Sequence, residues 1–65
     1  MKLTVNGAGH ETDARSIEAL VEALGLPVKA VLVEHNGLAL RRDEWPGRAL
    51  AEGDTLEIIR IVAGG

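Results

Sequence analysis

Thr55-Leu56-Glu57-Ile58-Ile59-Arg60-Ile61-Val62-Ala63-Gly64-Gly65 is the stretch on which the fold turns. Residues 55–62 are rich in β-branched side chains and predict a strand, because such side chains suit a pleated surface. Alternation puts Leu56 and Ile58 on one face and Glu57, Ile59 and Ile61 on the other. A strand apolar on both faces belongs in the middle of a sheet, and its second face either covers the sheet or meets a partner. The chain then runs through Ala63 to two glycines. Glycine has no Cβ and lets another backbone approach closely. Extended, residues 63–65 span about 10 Å, at roughly 3.3–3.6 Å per residue. These features predict a folded domain over 1–62 and a flexible tail over 63–65 that inserts its end into another protein.

The start of the chain supplies the natural neighbour for that strand. Lys2-Leu3-Thr4-Val5 alternates, with Leu3 and Val5 inward. The first and last strands are the most apolar, so they should lie side by side at the sheet centre. Asn6-Gly7 signals a hairpin, since both residues tolerate positive φ, although Ala8-Gly9 leaves the turn type open. His10 to Asp13 reads as a polar edge strand. Ser16 caps a helix, Glu18 sits at the positive end of its dipole, and Ile17, Leu20, Val21 and Leu24 form one apolar stripe. Gly25 ends the helix, Leu26 folds back onto Val21, and Pro27 prevents continuation. Ala30 to His35 is a third strand with Val31 and Val33 inward and Leu32 outward. Asn36-Gly37 turns it into Leu38-Ala39-Leu40. Arg41 to Trp45 is expected as one 3₁₀ turn, with Trp45 extended because Pro46 follows it. Leu50 should plug the core, and Glu52-Gly53-Asp54 should turn into the last strand. The order β-β-α-β-β-β predicts an α+β domain, a mixed sheet with one helix across one face.

Composition excludes several classes of function. Sixty-five residues make one small domain, and the absence of cysteine rules out disulfides and thiolate metal sites. The core must be almost purely aliphatic, with Trp45 the only aromatic residue. No run approaches a membrane span and Met1-Lys2-Leu3-Thr4 is not a signal peptide, so a cytoplasmic protein without membrane contact is expected. A net charge of −3 argues against nucleic-acid binding. No catalytic constellation is visible. Gly7-Ala8-Gly9 is a turn rather than a phosphate loop, and His10 and His35 lack metal-ligand spacing. Both histidines read as surface or strand-edge residues, Asp43, Glu44, Glu52 and Asp54 as solvated turn residues, Arg41 and Arg42 as a charged loop, and Trp45 as a lid on the core. The reactive group left is the α-carboxylate of Gly65. With an ordinary pKa of about 3.3–3.7 it is ionised at neutral pH and inert as an acyl donor. Joined to AMP by a separate ATP-using enzyme, it could accept sulfur as a thiocarboxylate.

The chain resembles the ThiS family of sulfur carriers in thiamin thiazole synthesis, which have the ubiquitin-like β-grasp fold. The resemblance is carried by residues 31–37 (Val31-Leu32-Val33-Glu34-His35-Asn36-Gly37), by Arg42-Asp43-Glu44-Trp45, by Glu52-Gly53-Asp54, and by Glu57-Ile58-Ile59 and Val62-Ala63-Gly64-Gly65. It implies strand order 2-1-5-3-4 with the first and last strands parallel. It also implies that a ThiF-like enzyme adenylates Gly65, that a persulfide donor supplies sulfur, and that the thiocarboxylate delivers it to thiazole synthase. The chain would be a carrier rather than an enzyme, binding no cofactor or metal itself, and monomeric when free. Leu32, Ile59, Ile61 and Val62 are the expected docking patch, leading into Ala63, Gly64 and Gly65. Many relatives have proline where this chain has Arg41. Carriers for tRNA thiolation or molybdopterin synthesis and small protein modifiers share the fold, and a plain interaction module is the reading from another class.

Overall fold

The computed structural model describes residues 1–61. Its strands are β1 (Lys2–Val5), β2 (Ala8–Glu11), β3 (Val31–His35), β4 (Leu38–Leu40) and β5 (Thr55–Arg60), with one helix, α1 (Ile17–Ala23). They form one sheet in the order β2-β1-β5-β3-β4, with β1 and β5 parallel and the other pairs antiparallel. This is the order and orientation that the resemblance implied.

Helix α1 has only seven residues, and isolated helices below about 12–15 residues are marginal in water. It is held by its caps and its stripe. The Ser16 hydroxyl accepts from the Ala19 N–H at 3.2 Å. At the other end Gly25 takes φ +71°. Its N–H donates to Glu22 O at 3.0 Å, and the Leu26 N–H donates to Val21 O at 3.3 Å, the paired bonds of a Schellman ending. Ile17, Leu20 and Val21 are fully buried against Leu3, Val33 and Leu56, with Trp45 and Leu50 closing the same core. Burial of each of the three helix side chains stabilises the fold by about 1.5–3 kcal/mol. A strap from Arg48 to Leu50 runs beside the helix start. The Ile17 N–H donates to Arg48 O, and the Leu50 N–H donates to Arg15 O.

Three strand boundaries and one backbone conformation differ from expectation. Strand β2 begins at Ala8 rather than His10, because Asn6 (φ 52°) and Gly7 (φ 82°) complete a two-residue turn and leave Val5 opposite Ala8. Val28–Ala30 forms a 3₁₀ turn, so β3 starts at Val31 rather than Ala30. Strand β5 ends at Arg60; Ile61 lies beyond it, although its N–H still donates to Ala30 O at 2.6 Å. Trp45 is helical, φ −63° and ψ −44°, despite Pro46. Its ring is 1% exposed, and its N–H and C=O pair with Arg42 O and the Arg48 N–H. Burying the largest side chain in the molecule overrides the local preference of the pre-proline residue.

The two hairpin asparagines do more than turn the chain. Asn6 Oδ1 accepts from the Ile58 N–H at 2.7 Å and Asn6 Nδ2 donates to Ile58 O at 3.1 Å. The β1–β5 ladder ends at Val5 and Leu56, and the Asn6 amide continues it by one backbone step. On the other side, Asn36 Oδ1 accepts from the Thr55 N–H at 2.9 Å, and the Asn36 N–H donates to Thr55 O.

His35 and Asp54 depart from the surface roles expected of them. His35 is 5% exposed. Arg48 Nε donates to its Nδ1 at 3.0 Å, which places the ring proton on Nε2, 2.7 Å from Asp54 Oδ2. Asp54 also accepts from the Ala51 N–H and from Asn36 Nδ2. Burial works to raise the Asp54 carboxyl, but the bonds from His35, Ala51 and Asn36 together outweigh it and hold the group below the usual carboxylate range. Glu52 and Glu44 are also occupied, accepting from the backbone N–H groups of Lys2 and Arg41 respectively.

Two outcomes follow for stability. Asn6→Gly keeps a residue that tolerates the left-handed turn and removes only the two side-chain bonds to Ile58, so a loss of about 1–3 kcal/mol in urea unfolding is expected. A loss under about 0.5 kcal/mol would mean that the amide is not a working rung of the ladder. Because folding lowers the Asp54 pKa, its contribution is complete above the unfolded value of about 3.9 and is lost as pH falls through the lower folded value. Asp54→Asn should therefore lower the urea midpoint at neutral pH and flatten its fall below about pH 4. An acid limb of unchanged slope would contradict that role.

Candidate functional site

The strand parity of β5 divides it cleanly. Leu56 and Ile58 are buried beneath α1, while Ile59 is 53% exposed on the opposite face of the sheet. On β3 the same alternation buries Val31, Val33 and His35 and leaves Leu32 54% exposed. The antiparallel register sets Leu32 directly across from Ile59, so the two side chains adjoin. Ile61, exposed as well, follows just past the end of β5. Leu32, Ile59 and Ile61 are therefore exposed apolar residues, Leu32 and Ile59 side by side on the sheet face away from α1. Val62, Ala63, Gly64 and Gly65, expected to continue from them, lie outside the described residues.

The next rung carries charge. Glu34 stands directly across from Glu57, and both are exposed. Like charges directly opposite on a sheet destabilise it, so the fold gains nothing from this pair. The patch therefore reads, along β3 and β5, as an aliphatic rung followed by an acidic rung. Sequence alternation shows each residue's face; only the register shows that like meets like. A fourth exposed aliphatic residue, Leu38, stands opposite His35. It belongs to the helix side at the β4 edge and is not part of the patch.

The described residues offer little other chemistry. No group of three His, Asp or Glu side chains among them is placed to hold a metal ion, and no helix is long and apolar enough to cross a membrane. His35, Asp54 and Arg48 are spent on one another beneath the 51–54 turn. What the arrangement offers is a partly apolar, exposed sheet face beside the end of β5.

Comparison with known proteins agrees with this geometry. The family model described as ThiS family matches residues 3–65. The crystal structure of the thiamine biosynthesis protein ThiS of Geobacter metallireducens superposes with a TM-score of 0.84 at 35% identity, covering 100% of both chains. The NMR structure of a thiamine biosynthesis protein of the same organism gives 0.82 at 32% identity, covering 100% of this chain and 88% of that one. The sulfur carrier protein ThiS of Thermus thermophilus is 30% identical over 61 residues, 94% of this chain and 95% of that protein. A thiazole synthase of Paramagnetospirillum magneticum is 35% identical over 66 residues; the match takes in 100% of this chain but spans only 20% of the length of that protein. A family match over nearly the whole sequence, joined to the same five-stranded β-grasp architecture, establishes that the chain belongs to the ThiS family of sulfur carriers.

Proposed function

We propose that the chain carries sulfur for thiamin thiazole formation as a thiocarboxylate on Gly65, and that it is the substrate of a ThiF-like activating enzyme. The observation that carries this is the Leu32–Ile59–Ile61 patch, exposed on a rigid sheet at the end of the strand from which the terminal segment departs. A carrier needs such a handle, because its reactive group must sit in another protein's active site while its body stays outside.

The chemistry balances without a reagent from this chain other than its terminal acid group. The Gly65 carboxylate oxygen attacks the α-phosphorus of ATP, giving the acyl adenylate and releasing pyrophosphate. A persulfide donor attacks the acyl carbon and AMP leaves. The resulting acyl disulfide is cleaved by a thiol, which becomes the new disulfide partner and releases the thiocarboxylate. No cysteine is needed on the carrier, which has none. The two glycines let the activating enzyme's backbone close around the chain. Leu32, Ile59 and Ile61 supply apolar contact, with Val62 continuing it toward the tail, and cationic groups of the partner are expected opposite Glu34 and Glu57. The relative named as a thiazole synthase supports the choice of acceptor, since a region similar to this chain makes up a fifth of it.

Incubation with ATP, the cognate ThiF-like enzyme and a sulfur donor should raise the intact mass by the difference between sulfur and oxygen. A chain with residues appended after Gly65, or lacking Gly65, should show no gain while melting like the parent. A gain in either variant would remove Gly65 as the carrier atom's residue, and no gain in the parent would favour a plain interaction module. Ile59→Asp, on an exposed position, should cost less than about 1 kcal/mol of stability. It should nonetheless raise the KM of the activating enzyme for the carrier by about tenfold or more, as expected when a central apolar contact of an interface is lost. An unchanged KM would exclude Ile59 from the docking face.

A further inference from the structure

Around the corner from the sheet-face patch lies a groove that the carrier chemistry does not use. Leu32 and Ile61 form its shared edge with the patch, while Leu40 and Trp45 line its interior. Lys29, Arg41 and Arg42 also line it, and no acidic side chain does. Its volume, about 710 Å³, falls within the ~300–1,000 Å³ of ligand sites. It is open rather than enclosed, which suits a stretch of polypeptide better than an engulfed small molecule.

Its charge is unusual for this molecule. The chain has ten Asp and Glu against seven Lys and Arg, yet three of those seven cations gather here. Arg41 is engaged by Asp43, Nε to Oδ1 at 3.1 Å. Arg42 lies over the Trp45 ring, 5.1 Å from its centroid, where the cation–π contact holds the guanidinium in place. Among the described residues neither Lys29 nor Arg42 has an ion-pair partner. The Trp45 indole N–H, a donor only, is buried and has no acceptor among the described residues. The exposed apolar edge at Leu32 and Ile61, beside two cations that have no ion-pair partner among the described residues, calls for one kind of occupant: something apolar that carries carboxylates.

We propose that this groove takes an extended acidic segment of a partner protein, with an aliphatic side chain against Leu32 and Ile61 and carboxylates beside Lys29 and Arg42. The groove meets the sheet-face patch along the Leu32–Ile61 edge, and its occupation needs no sulfur loading. Because Glu34 and Glu57 lie on the sheet face and the cations lie in the groove, a partner spanning both meets opposite charges on either side of the Leu32–Ile61 edge. That polarity fixes orientation more than affinity.

Trp45 is the sole tryptophan, with no tyrosine or phenylalanine in the chain, so its emission is a single-residue signal, and the Arg42 guanidinium over its ring couples it to the groove. The probes are a blocked peptide of alternating glutamate and leucine and its lysine–leucine counterpart, titrated into the full chain. The glutamate peptide should give a saturable change in Trp45 emission and in the indole N–H cross-peak, weakened by added salt. The lysine peptide should bind about tenfold or more weakly. Lys29→Glu combined with Arg42→Gln should weaken the glutamate peptide by a similar factor at an unchanged urea midpoint, and Glu57→Gln should leave it unaltered. No saturable response at millimolar peptide, or an equal response to the lysine peptide, would overturn the proposal whatever the fate of the variants. So would undiminished binding by the folded double variant.

Discussion

The backbone of β5 must find hydrogen-bond partners on both sides, and the rest of the molecule is arranged to supply them. On one side β3 pairs with it from Leu56 to Arg60. On the other, β1 reaches only as far as Leu56, and the Asn6 side chain serves Ile58 in place of a strand. Buried backbone groups left unpaired are costly. An asparagine amide has the donor and acceptor needed to imitate one peptide unit, and no aliphatic turn residue could do so. The same turn that starts the first hairpin thus completes the central strand.

A strand fixed on both edges gives its two faces different uses. One face packs Leu56 and Ile58 beneath a helix too short to persist without them. The other holds Ile59 beside Leu32, at a position where no element of the chain covers it among the described residues. The exposed face is therefore backed directly by the core.

Much of this was legible in the residues themselves. Ser16, Gly25 and Leu26 mark the helix ends because capping is local chemistry, within five residues of the position concerned. Asn6-Gly7 and Asn36-Gly37 mark both hairpins for the same reason. Parity alone separated Leu56 and Ile58 from Ile59, and Val31 from Leu32. What could not be read depends on distant partners. His35 looks like any strand-end histidine until Arg48 and Asp54 are brought to its two nitrogens. Trp45 obeys the core rather than Pro46. The acidic rung of Glu34 and Glu57 exists only in the register, and the second use of Asn6 lies 52 residues away.

The central claim is that β3 and β5 present their outer face, and the terminus beyond it, to the activating enzyme. Amide chemical-shift mapping of the isotope-labelled chain against the cognate ThiF-like enzyme tests this most directly. The account predicts perturbations centred on Leu32, Glu57, Ile59 and Ile61 and continuing through Gly65, with α1 and β2 unmoved. Perturbations centred on the exposed side of α1, with those residues silent, would contradict it.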